Sequence, residues 1–141
     1  MQKIAVTGAN GRFGKILVQF LREQHFEVKP SDLLSGSHEE GSVNCDVRDL
    51  GHLVSVFQGC DAVVHLAAFP GPWIQPDARV YQDNTVGSYN VLLACELLGI
   101  KKICLASSIN AIGGVYSRLP IYDYFPVDEE HPTYSEDPYS L

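Results

Sequence analysis

The sequence predicts an α/β domain: a doubly wound sheet of parallel strands covered by helices. Three observations predict it. Short apolar segments alternate with helix-period segments along most of the chain. Two of them, "DAVVHLAA" and "KKICLASS", are near-continuous runs rather than alternating ones, as strands buried on both faces require. A glycine-rich turn joins the first strand candidate to the first helix candidate.

Each element has its own signal. "KIAVTG" is a short apolar strand. "RFGKILVQFLREQ" places Phe13, Leu17 and Leu21 on one helical face, at i, i+4 and i+8. "FEVKPS" is a weaker strand, because Pro30 has no N–H to give a ladder. "SVNCDV" is a third short strand. "DLGHLVSVFQG" reads as a helix, with Asp49 near its start and Gly59 past its end. "DAVVHLAA" is the fourth strand. The segment from about Asp77 to Leu98 reads as a long helix. Val86, Asn90, Leu93 and Leu97 share one of its faces, and Gly99 follows it. "KKICLASS" is the fifth strand. From about Gly113 the chain turns to Tyr, Pro, Asp and Glu with no period, which predicts a long loop. A loop of that length in a compact domain is functional or disordered. No linker or repeat interrupts the pattern.

The totals narrow the function classes. The 141 residues are about one domain, and 45% hydrophobic content is enough for a core. The net charge of −7 argues against nonspecific nucleic-acid binding, which needs clustered cations, and against an anionic membrane surface. No apolar run approaches the roughly 20 residues that span a bilayer. "MQKIAVTGAN" runs straight into a glycine turn and reads as a first strand, not a signal peptide. The four cysteines, Cys45, Cys60, Cys95 and Cys104, form no C-x-x-C pair. They read as reduced, mostly buried thiols of a cytoplasmic protein. The histidines are scattered, so no metal site is expected.

"VTGANGRFGK" follows the first strand and opens the first helix. Gly8 permits a tight turn, Gly11 lets the backbone approach a pyrophosphate, and Gly14 allows the helix to pack on the sheet. The free N–H groups at the helix start then face the phosphates. This strand–turn–helix context marks a Rossmann-type dinucleotide-binding domain. Asn10, Arg12 and Phe13 of the turn join the three glycines as cofactor-binding candidates. Asp32 lies 18 residues past Gly14, near the end of the second strand. Its carboxylate suits the adenosine ribose hydroxyls and repels a 2′-phosphate, which favours NAD over NADP. Arg12 is the counter-signal, since a guanidinium in the turn suits a 2′-phosphate.

The spacing T-G-x-x-G-x-x-G, Thr7 to Gly14, together with later segments, resembles the extended short-chain dehydrogenase/reductase family, the NAD-dependent sugar epimerases and dehydratases. "CDVRD" resembles the family's acidic segment after strand three, which implies that Asp46 bonds the adenine amino group and Val47 packs on the ring. "HLAA" resembles the strand-four segment beside the cofactor's ribose and phosphates, which implicates Leu66, Ala67 and Ala68. "DNTVGSYNVLLAC" resembles the N-x-x-G-[ST]-x-N helix, with Asn84 near the nicotinamide side. "ASSINAIGG" resembles the strand-five segment whose second serine, here Ser108, is the catalytic hydroxyl. "DPYSL" resembles the opening of the Y-x-x-x-K helix, with Tyr139 as the catalytic tyrosine. Two departures stand out. Ile112 stands where many sugar epimerases carry Tyr, and the loop "FPGPWIQPDA" suggests no particular substrate.

The resemblance implies hydride transfer from a sugar or nucleotide-sugar hydroxyl to NAD, the proton passing to the tyrosine. A phenol's ordinary pKa of about 10 is too high for an efficient base at neutral pH. The family uses a lysine four residues on, one helical turn away, to favour the phenolate. Here that position would be 143, so the sequence is expected to be the N-terminal portion of a longer enzyme, stopping after the fifth strand and short of a C-terminal substrate-binding portion. Lys101 and Lys102 open strand five and are not read as substitutes. By itself the 141-residue piece is expected to be inactive. The alternative is a non-catalytic NAD(P)-binding module. Epimerase, dehydratase and dehydrogenase are not separated at this level. A homodimer is expected only by analogy with relatives.

Overall fold

The computed structural model describes residues 2–33 and 40–141. The order of elements is β1 (Lys3–Thr7), α1 (Arg12–Glu23), β2 (Glu27–Asp32), β3 (Val43–Asn44), α2 (Leu50–Phe57), β4 (Ala62–His65), α3 (Asp77–Leu98) and β5 (Lys102–Leu105), then a short 3₁₀ turn at Ile109–Ile112. The strands form one five-stranded sheet in the order β3-β2-β1-β4-β5, and every pairing is parallel. Strand order reverses direction at β1, so the gap between the carboxyl ends of β1 and β4 is the topological switch point, where open α/β sheets bind ligands.

The chain divides into two compact units. One is Met1–Ala68 with Asp83–Ala106; the other is Phe69–Gln82 with Ser107–Leu141.

In the first unit, β1 alternates between two apolar clusters, as the two-residue period of a strand dictates. Ile4 and Val6 pack with Val18, Leu17 and Leu21 of α1. Ala5 faces the other way, into a cluster with Leu53 and Phe57 of α2 and Val91, Ala94 and Cys95 of α3. Each large side chain buried there stabilises the fold by roughly 1.5–3 kcal/mol. The helix ends follow their capping signals. The Asp49 side chain accepts a hydrogen bond from the His52 backbone N–H at 3.1 Å, and Gly59 and Gly99 take φ of +76° and +70° just past α2 and α3.

Four expectations need correction. Phe13 does not lie on the packed face of α1: it is 62% exposed, and the face is centred on Gly14 and Val18. The packed side of α3 is Gly87, Val91, Ala94 and Cys95, whereas Leu97 is 62% exposed. Small residues on that side let the helix approach closely, which a search for large apolar side chains overlooks. Pro30 does not weaken β2. It is buried and paired with Val6, and β3 pairs with β2 only at Ser31 and Asp32, so the missing N–H costs no ladder bond on the β3 side. Cys45, Cys60 and Cys95 are buried, but Cys104 is exposed because all of β5 is. Burial pushes the Cys45 thiol up to about 11, so it stays a neutral, inert thiol.

In the second unit, residues 113–141 form neither helix nor strand. Side chains satisfy the backbone groups that regular structure would otherwise pair. Ser135 Oγ donates to the Ala111 carbonyl at 2.9 Å, and the Arg118 N–H donates to Glu136 Oε2 at 2.9 Å. His131 is buried. Its Nε2 accepts from the Asp123 N–H at 3.0 Å and its Nδ1 lies 2.7 Å from the Pro132 carbonyl, so Nδ1 carries the proton. The long loop is therefore held by a dispersed polar framework.

Candidate functional site

The glycine turn sits at the switch point of the first unit. Gly8 has φ +68°, and a Cβ there would lie 2.7 Å from the Ala67 nitrogen. Gly14 packs so closely that a Cβ would collide with the Gly8 carbonyl oxygen and stand 2.8 Å from Ala9 Cα. Gly11 differs: an added Cβ meets only the Gly8 oxygen, at 3.1 Å, and otherwise points into open space. Two glycines thus shape the turn and the third keeps a surface clear for a bulky group.

Asp32 ends β2 beside this turn. Its Oδ2 accepts the Asn10 N–H at 2.8 Å, while the Ala9 N–H donates to the Ser31 carbonyl at 3.1 Å. The first bond fixes the carboxylate against the turn, and among the described residues nothing hydrogen-bonds its second oxygen. That is the arrangement a ribose diol needs. Arg12 and Phe13 begin α1 and are both exposed.

Under the turn, Thr7 and His65 are level in the register of β1 and β4. Thr7 Oγ1 lies 2.7 Å from His65 Nδ1, and both residues are buried. The same oxygen accepts from the Leu66 and Ala67 N–H groups at 3.3 and 3.4 Å. With those donors on its lone pairs, the threonine hydroxyl donates to Nδ1. Leu66 and Ala67 are thereby drawn to the strand ends, and Ala68 beyond them is exposed. Burial lowers the His65 pKa to about 4, so the ring is neutral near pH 7.

Asp46 and Val47 follow β3. The Asp46 carboxylate is gripped by Arg48, with Nη2 to Oδ2 at 2.6 Å and Nε to Oδ1 at 2.9 Å. That contact holds the carboxyl below its usual range. Arg48 also reaches Asp83 of α3 at 3.2 Å. Asn90 Nδ2 donates to the Val47 and Arg48 carbonyls at 3.2 and 2.8 Å, and a Cβ on Gly87 would lie 2.8 Å from Val47 Cγ2. The segment proposed for adenine is thus riveted to α3. Gly87 and Asn90 supply the physical reason for two positions of the "NTVGSYN" stretch. Asn84, from the same stretch, is half-buried on α3. The roles of Arg48 and Asp83 were missed, since a charge pair far apart in sequence has no periodic signal.

Ser108 and Tyr139 belong to the second unit. Ser108 caps the 3₁₀ turn, its Oγ accepting from the Asn110 N–H at 3.1 Å. Tyr139 is half-buried, with its ring edge-on to Tyr116 at 6.1 Å, and Tyr116 is edge-on to Trp73 at 4.9 Å. A cleft of about 410 Å³ lies at the Trp73–Tyr116 end of this file, lined among others by Trp73, Asp77, Tyr116, Arg118, Glu136 and Asp137, with Ser108 and Tyr139 outside its lining. Such a mixture of aromatic faces, carboxylates and a guanidinium suits a polyhydroxylated ligand. Among the described residues no group of three or more His, Cys, Asp or Glu can hold a metal ion, and no helix is long and apolar enough to cross a membrane.

A parallel sheet of this order, with a glycine turn at its switch point, defines a Rossmann-like α/β protein. The chain belongs to the NAD dependent epimerase/dehydratase family, whose model matches residues 4–141. It is 42% identical over 110 residues to the L-arabinose 1-dehydrogenase (NAD(P)(+)) of Haloferax volcanii, a match covering 77% of this chain and 41% of that enzyme. It is 32% identical to the putative UDP-glucose 4-epimerase of Methanocaldococcus jannaschii, over 98% of this chain and 46% of that protein. Its fold superposes with a TM-score of 0.83 on a short-chain dehydrogenase/reductase superfamily protein from Agrobacterium tumefaciens with bound NAD, at 28% identity, over 99% of this chain and 41% of that one. The chain thus spans less than half the length of these relatives.

Proposed function

We propose that the whole protein oxidises a hydroxyl of a free sugar with NAD, residues 1–141 forming its cofactor-binding N-terminal part. The observation that carries this reading is the glycine turn with the Asp32 carboxylate fixed against it by the Asn10 N–H. Gly8, Asn10, Gly11, Arg12, Phe13 and Gly14 hold the pyrophosphate side, and Asp32 holds the adenosine ribose. Asp46 and Val47 border the adenine, while Leu66, Ala67, Ala68 and Asn84 line the remainder. NAD supplies the hydride acceptor. Ser108 donates its hydroxyl hydrogen to the substrate oxygen and positions it, its own lone pair being held by the Asn110 N–H. Tyr139 takes the hydroxyl proton as the carbonyl forms. The cleft along Trp73 and Tyr116 presents aromatic faces to the C–H face of a sugar ring. Likeness to an L-arabinose dehydrogenase supports a dehydrogenase. Likeness to a UDP-glucose epimerase supports a second reading, epimerisation of a nucleotide sugar with the coenzyme retained.

The test is NADH release by the whole protein from a panel of free aldoses and uronates led by L-arabinose, with UDP-glucose and UDP-galactose alongside. Net NADH from a free sugar supports the dehydrogenase. Interconversion of the UDP-sugars without net NADH supports the epimerase. Saturable NAD binding with no turnover on any of them would leave a cofactor-binding module and sink the catalytic reading.

Asp32 gives a separate prediction. Asp32→Asn keeps an oxygen for the Asn10 N–H but removes the charge that meets the ribose. NAD is expected to bind about tenfold more weakly, the scale of one charge-assisted hydrogen bond, and NADP to bind more tightly. Titration of both coenzymes by calorimetry checks it; an unchanged preference means that Asp32 does not face the ribose.

A further inference from the structure

Asn110 and Asp137 form a buried polar pair in the second unit, at 1% and 8% exposure. The proposed mechanism uses the Asn110 backbone N–H but neither side chain, and Asp137 also lines the cleft beside Trp73 and Tyr116. They meet across 27 positions of chain, Asn110 Nδ2 donating to Asp137 Oδ2 at 2.6 Å. Asn110 Oδ1 accepts the Val115 and Tyr116 N–H groups, both at 2.9 Å. Asp137 Oδ1 accepts the N–H groups of Tyr139 at 2.9 Å and Ser140 at 3.2 Å, and Asp137 Oδ2 also receives the Ser140 hydroxyl. On the other side, the Asn110 N–H donates to Ser108 Oγ at 3.1 Å. Ser108 is thus bonded to the Asn110 backbone, and the Asn110 side chain is bonded through Asp137 to the Tyr139 backbone, so Asn110 itself joins the two ends. Its side chain also fixes the Tyr116 backbone, and the Tyr116 ring lies against that of Tyr139.

We propose that Asn110 and Asp137 are positioning residues that set the Ser108 hydroxyl and the Tyr139 phenol relative to each other. The argument is one of satisfaction. Both side chains use nearly all their hydrogen-bonding capacity on these partners, in a setting where an unmet group costs far more than a met one gains. Rotation of either would break several bonds at once. A loop without helix or strand thereby acquires the rigidity that oriented reacting groups need.

The inference rests on the reading of Ser108 and Tyr139 as the reacting pair, and the experiment separates the two. In the whole protein, turnover of L-arabinose, or of whichever panel sugar gives NADH, is measured for Asn110→Asp, Asp137→Asn and the double exchange. Asn110→Asp sets carboxylate against carboxylate; Asp137→Asn sets amide N–H₂ against amide N–H₂. The double exchange restores one donor facing one acceptor and leaves an oxygen for every backbone N–H. Each single variant is expected to lose about 100-fold in kcat, the cost of misplaced reacting groups, with KM and NAD affinity nearly unchanged. The double exchange is expected to recover to within about threefold, as coupled neighbours do. Single variants with full kcat overturn the proposal. So does a double exchange that recovers thermal stability but not kcat, because the pair would then be structural only. Ser108→Ala and Tyr139→Phe run alongside: turnover that survives either overturns the catalytic reading and this inference with it, whereas their loss beside unaffected pair variants overturns the inference alone.

Discussion

Gly14→Ala is expected to destabilise the protein by about 3 kcal/mol, the scale of an overpacked core site, and to abolish coenzyme binding. Its methyl would fall on the Gly8 carbonyl oxygen and beside Ala9 Cα, both backbone atoms of the same turn. Neither can swing aside as a flexible side chain could. Either α1 lifts from the sheet, uncovering Val18, or the turn itself moves. Gly11→Ala separates the two roles of the turn. Gly11 has φ −65° and ψ 165°, a conformation that alanine adopts, and its only near neighbour is the Gly8 oxygen at 3.1 Å. Stability is expected to hold within about 0.5 kcal/mol, as for a surface site. NAD affinity is expected to fall by about 1.4 kcal/mol, a tenfold change, or more, because the methyl occupies the space left for the pyrophosphate. Urea melts and coenzyme titration of the two variants check both halves. Equal loss of stability in the two, or full NAD affinity in Gly11→Ala, would contradict the assignment.

What the sequence disclosed and what it concealed divide along physical lines. The glycine turn, the capped α2 and the long α3 were legible because each rests on local rules: backbone freedom, capping and helical period. The packed face of α3 was not, since Gly87, Ala94 and Cys95 bury little area and carry no strong apolar signal. Phe13 was misplaced because a 3.6-residue period groups positions without saying which group faces the sheet. The buried face of α1 is settled by Gly14, whose lack of a side chain lets the turn and helix touch. Pro30 kept its strand because the short reach of β3 removes the demand on its nitrogen, a fact of tertiary pairing. At the candidate site, Gly8, Asp32, Ser108 and Tyr139 could be named from spacing and resemblance. Asn110 with Asp137, Arg48 with Asp83, and Thr7 with His65 could not. Each is a polar pair joined only by the folded chain, and polar pairing has no period.

His65 supplies the second large effect. The ring is buried at the end of β4 and receives the Thr7 hydroxyl on Nδ1. Its pKa falls from 6.5 to about 4 because burial penalises the charged ring. A depressed folded-state value means that the unfolded chain binds the proton first. The contribution of neutral His65 is therefore complete above pH 6.5, is lost as pH falls from 6.5 towards 4, and is constant below that. The size of the shift corresponds to about 3 kcal/mol. Asp46 titrates in a separate window, since Arg48 holds it below the ordinary carboxylate value of 3.8 and its stabilising effect is lost only in stronger acid. Urea unfolding at closely spaced pH values is expected to show a step between pH 6.5 and 4, and His65→Gln, which keeps an acceptor for the Thr7 hydroxyl without a titrating ring, is expected to remove it. Protonation of the folded protein sets a donor against a donor at the switch point, so NAD affinity should hold through this range and fall only as pH nears 4. A flat stability profile down to pH 4.5, or a step that survives in His65→Gln, would place the titration elsewhere and leave the Thr7–His65 contact without a role in holding the strand ends together.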